Sequence, residues 1–176
     1  ALPISLEIAA SRDAPELVAA ILDSGPHGGD ELSRALEMCL KRRWSKTALV
    51  LLKGGAAIAP DREAASVHLA ARSLDPELLD AVLDAGLEVD VISGRTTALG
   101  WVVDGRSERA REIGPMVRHL LSLGADPTLA PANGRSAIEA AQRALDDARR
   151  DPHAREEDAL ALAEILETLK TGGKHL

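Results

Sequence analysis

Lys41-Arg42-Arg43-Trp44 is the densest run of chemically active side chains in this sequence. Guanidinium forks bind carboxylates in a bidentate manner, and an indole offers contact area with little entropy to lose. Together they make a grip for an acidic segment. The same residues carry a plainer reading, in which the cations offset the negative end of a helix and Trp44 packs on the next element. A third reading is a nuclear localisation signal, although basic runs of this length are common by chance.

Other candidates for chemistry weigh less. Cys39 with His68 as its base would make a nucleophilic pair, but Cys39 stands at a small-residue position of an apolar cluster, where a thiol packs as a small hydrophobe. The carboxylates Asp146, Asp147, Glu156, Glu157 and Asp158 are interleaved with Arg149, Arg150 and Arg155, the pattern of a solvated helical face rather than a metal site. Trp101 sits at an aliphatic position and is expected in the core. No Gly-x-Ser-x-Gly elbow, phosphate loop, dinucleotide fingerprint or His-Glu-x-x-His motif occurs. The expectation is a protein that is not an enzyme, with no cofactor and no metal.

The elements that position these residues must be small and closely packed. Of 176 residues 45% are hydrophobic, nearly all Ala, Leu, Val and Ile, with no Phe or Tyr. Ala lets helix backbones approach, whereas a β-sandwich would need the β-branched and aromatic runs that are missing. A formal charge of −7 disfavours nucleic acid. The single cysteine excludes an intrachain disulfide and fits a reducing, intracellular compartment: cytoplasmic, with the nucleus also compatible. No run approaches the roughly 18 apolar residues of a membrane span, and the first residues given do not read as a charged n-region followed by an apolar h-region. The protein is expected to be a monomer without membrane contact.

Internal periodicity sets the organisation. Apolar runs close on Gly25, Gly55, Gly86 and Gly124, the first three spaced by 30 and 31 residues. A second cluster, opening at Leu6, Leu36 and Val67, precedes its glycine by 19 positions each time. Each unit reads as two short helices and a turn, closed by glycine in the left-handed cap. Asp75-Pro76-Glu77 opens a second helix with an N-cap, a proline at the first position and an acid at the dipole's positive end; Asp13 to Glu16 repeats the device one residue looser. Ala56 to Pro60, Leu87 to Asp90 and Ala125 to Thr128 read as hairpin loops.

The residues Ala65 to Ala71, Thr97 to Val103, Leu120 to Asp126 and Asn133 to Ala141 resemble the ankyrin repeat family, whose unit runs Thr-Pro-Leu-His-x-Ala-Ala to Leu-Leu-x-x-Gly-Ala-Asp. The motif's proline is replaced by Ser5, Ala35, Ser66, Ala98 and Ala137, and its histidine persists only as His68. The resemblance implies an all-α ankyrin-repeat solenoid, a single domain with units at approximately 1–28, 29–60, 61–92, 93–130 and 131–176, and a structural hydrogen-bonding role for His68 between repeats. A tetratricopeptide array fits the spacings less well. The fourth unit carries extra length in 104–113 and the fifth in 144–158, with helices expected near 136–150 and 153–170. Ala19 and Ala20 leave the first unit poorly dressed for water, so the natural chain is expected to continue upstream.

Family members bind partners on the concave face and hairpin tips. Carried onto this sequence, the resemblance assigns turn positions Arg12, Lys41, Arg42, Arg43, Trp44 and Arg72, and tips Asp90, Arg95 and Asn133, to partner binding. Basic turns in an acidic protein point to an acidic segment of a protein partner. The rival expectation is a recognition or autoinhibitory region of a larger sensor or enzyme.

Overall fold

A computed structural model describes residues 6–104 and 110–172. Ile4 and Ser5, positions 105–109 of the fourth unit's extra length, and the tail 173–176 lie outside the described residues. The chain forms two compact units, Ala1–Leu87 and Glu88–Leu176.

The first unit holds α1 (Leu6–Ala10), α2 (Pro15–Asp23), α3 (Gly29–Arg42), α4 (Ser45–Lys53), a 3-10 turn (Pro60–Arg62), α5 (Glu63–Ser73) and α6 (Pro76–Leu83). Helices α1, α3 and α5 stack as one row and α2, α4 and α6 as another, with each consecutive pair packed across the rows. The sequence dictates the stacking directly. Leu6, Ala9 and Ala10, then Leu36, Cys39 and Leu40, then Val67, Ala70 and Ala71, are buried at the same i, i+3, i+4 positions. Arg34 to Glu7 at 3.0 Å and Lys53 to Glu77 at 3.2 Å tie neighbouring helices at the surface.

The turns repeat as closely as the core. Asp13, Arg43 and Leu74 take φ of 50°, 63° and 62°, so each pair turns through a left-handed residue at the spacing of the cap glycines. A side chain in that conformation costs about 1 kcal/mol. At Arg43 the Schellman pattern offsets it, the Arg43 amide donating to Leu40 at 3.2 Å and the Trp44 amide to Cys39 at 2.9 Å.

Asp75 caps α6 as expected, accepting from the amides of Glu77 and Leu78. Asp13 does not cap α2, whose N-cap is Ala14. Being held in the left-handed turn, Asp13 instead accepts the hydroxyl of fully buried Thr47 at 2.6 Å.

The second unit begins with a hairpin, β1 (Ile92–Ser93) and β2 (Thr96–Thr97), the paired strands among the described residues. It continues through α7 (Ala98–Val103), α8 (Ala110–Ser122), α9 (Ala137–Arg150) and α10 (Glu156–Lys170). α7 packs on α8 and α9, and α10 on α8 and α9, again one row against another. Ser136 and Glu139 form a reciprocal capping box at the start of α9. α10 starts at Glu156 rather than near 153, because Asp151 accepts the His153 amide at 2.8 Å and holds Pro152 to Ala154 in a turn. Two of the acidic residues here form ion pairs: Asp147 with Arg143 and Arg150, Glu157 with Arg111.

Candidate functional site

In the first unit the sequence-expected turn residues fall into one row. Arg12 follows α1, Lys41 to Trp44 end α3, and Arg72 ends α5; all these cations are exposed and Trp44 is half-buried. The four adjacent residues separate into different tasks. Lys41 donates to Glu37 at 2.6 Å, and Arg62 lies 3.7 Å from the same carboxylate. The Lys41 bond holds the Glu37 carboxyl below its usual range, with the charges of Lys41 and Arg62 acting in the same direction against burial. Arg43 forms the left-handed turn. Arg42 reaches over the indole of Trp44, 5.6 Å from its centroid, within cation–π range.

Beside this basic row runs an apolar one that the sequence reading missed. Ile8, Met38 and Leu69 each stand two positions after the matching core residues Leu6, Leu36 and Val67 of α1, α3 and α5. About 200° round the helix from those residues, they cannot join the core. Ile8 is 49% exposed, and Met38 and Leu69 are half-buried. The signal was available as the 30 and 31 spacing of three apolar residues on otherwise polar faces.

Trp101 stands at the same position of α7 and is half-buried, a correction to the expected core placement with the same geometric cause. Its core neighbours are Leu99, Val102 and Val103. Trp101 forms part of the wall of a pocket of about 350 Å3 with Arg95, Asp104, Asn133 and Arg135. Arg95 and Asn133, expected as separate tips, are therefore brought together; Arg135 was not anticipated.

Two ties fix these loops. A Cβ on Gly134 would lie 2.2 Å from the Arg95 carbonyl oxygen, so the second loop touches the first where only glycine fits. Asp90 accepts the Asp126 amide with both carboxylate oxygens, at 3.0 and 3.1 Å. Burial pushes the Asp90 carboxyl up against that bond, while the Thr128 hydroxyl and amide hold Asp126 down. Asp90 thus braces the loops and has its oxygens engaged within the protein.

Cys39 is fully buried and its thiol is pushed up to about 12, by burial first and the Asp13 charge second. It is a protonated core group at neutral pH, without the thiolate a nucleophile needs. His68 is fully buried as well, its Nδ1–H donating to the Ala64 carbonyl at 2.7 Å within its own helix. Among the described residues no helix is long and apolar enough to cross a membrane.

No protein-family model matches the sequence, and no curated protein matches it. Among solved structures, an ankyrin repeat domain from Acinetobacter baumannii AYE is similar at 18% identity and a TM-score of 0.48, over 97% of this chain and 98% of that one. The rows of paired helices, the left-handed turns at repeat spacing and the glycine caps give the chain an all-α architecture built from repeated helix pairs.

Proposed function

We propose that the protein is a protein-interaction module whose first unit binds an acidic, partly apolar segment of a partner. The observation that carries this is the pairing of two parallel rows: Ile8, Met38 and Leu69 on the helices, and Arg12, Arg42, Arg43 and Arg72 in the turns beside them. An apolar strip edged by cations suits a segment with apolar residues on one side and carboxylates on the other. The Arg42–Trp44 stack holds one guanidinium in place and lowers the entropy it loses on binding. We place the five-unit single domain, the monomeric state and an intracellular setting in the same proposal.

The partner can be isolated by affinity capture with the whole chain and the complex measured by calorimetry. Arg42→Glu with Arg72→Glu is expected to weaken binding about a hundredfold or more, two desolvated charge contacts being worth roughly 1.5–3 kcal/mol each. Binding of the unaltered chain should weaken as salt rises. An affinity unchanged by the double reversal refutes the proposal.

A further inference from the structure

The pocket between the loops of the second unit is cationic on two sides. Arg95 and Arg135 line it, Asp104 lines it too, and among the described residues the lining carries one positive charge in excess. Trp101 and Ala140 give the wall an apolar part, and Asn133 adds an amide. We propose that this pocket is a subsite for a single carboxylate, that of a Glu side chain in an extended peptide segment. It rests on the protein-binding proposal only for the source of the carboxylate.

Three features support that occupant. A monoanion matches the single excess charge, whereas a phosphate dianion would overshoot it next to Asp104. Two guanidinium forks and an amide offer the donors a carboxylate accepts, and the indole wall takes the methylenes of a Glu stem. The site is also held in shape before anything binds: the Gly134 contact with the Arg95 carbonyl sets the spacing of the two loops, and the Asp90 bond to the Asp126 amide anchors both. Such preorganisation lowers the cost of binding a small group.

The test is a nuclear magnetic resonance titration of the whole chain with a blocked Gly/Ser peptide carrying one central Glu. The Trp101 indole N–H and the Asn133 side-chain amide are followed; Trp44, the other indole in the sequence, is assigned with Trp44→Phe. A saturable, millimolar shift of both signals is expected, with the Gln version of the peptide about tenfold weaker. Arg95→Gln and Arg135→Gln should each weaken the Glu peptide by about tenfold, while Lys46→Gln, at an exposed position of α4, leaves the titration unchanged. Should a variant unfold by circular dichroism, the comparison of Glu peptide, Gln peptide and inorganic phosphate on the unaltered chain decides. No shift at Trp101, equal shifts with the Glu and Gln peptides, or tighter binding of phosphate each overturn the proposal.

Discussion

Gly134→Ala places one methyl group against a carbonyl and so tests how the second unit is assembled. The added Cβ would sit 2.2 Å from the Arg95 oxygen, 3.0 Å from its carbon and 3.1 Å from the Pro131 ring. Two of these neighbours are backbone, so relief requires a loop to move by close to 1 Å rather than a side chain to rotate. Overpacking of this kind costs about 1–3 kcal/mol. Replacing glycine where its φ is ordinary returns about 0.4–1 kcal/mol through the unfolded state. The net expectation is a loss of about 1–2 kcal/mol, a fall in Tm of roughly 3–6 °C for a chain of this length. Urea denaturation and calorimetry measure it, with Trp101 fluorescence reporting on the pocket wall. Gly29→Ala is the matched control, since its Cβ meets nothing within 4 Å and lies in the first turn of α3. It should be neutral or stabilising by up to about 1 kcal/mol. A Gly134→Ala protein as stable as the unaltered chain would refute the contact between the loops, and with it the claim that the pocket is held in shape.

Other expectations follow from the first unit. Thr47→Val keeps the branched shape but removes the hydroxyl donated to Asp13; a loss of about 1–2 kcal/mol is expected in urea, and a change below 0.3 kcal/mol would show that the bond between repeats contributes nothing. Cys39 should resist thiol reagents in the native state and react only as fast as the protein opens; rapid labelling at pH 7.5 would contradict its burial. The Cys39 thiol rises from 9.0 in the reference state to about 12 in the fold. The unfolded chain therefore releases this proton first, and the associated stability is present below about pH 9 and is lost as pH rises towards 12. Cys39→Ala should flatten that alkaline loss, which pH-dependent denaturation can check. The double reversal of Arg42 and Arg72 and the peptide titration of the Trp101 pocket test the two binding surfaces separately.

Lys41 to Trp44 illustrates how much of a site a linear reading contains. Composition and adjacency marked the segment, but helical spacing turns Lys41 back to Glu37, and the left-handed turn at Arg43 brings Trp44 within reach of Arg42. The apolar row of Ile8, Met38 and Leu69 was within reach of the periodicity, since it follows from the same spacing that revealed the core. Arg135 was not, because nothing local announces that one loop will lie against another. Asp90 read as a tip residue open to a partner; only the fold shows the Asp126 amide already bound there.

What the sequence determined by itself was the repeat: the glycine caps, the buried i, i+3, i+4 pattern and the proline and serine starts of α6 and α9 are local, and local chemistry is legible in order along the chain. The tertiary structure alone decided which residues share a surface. Positions some thirty or more residues apart become neighbours only when helices stack, and a clearance of a single methyl group, as at Gly134, is set by packing that no local pattern encodes.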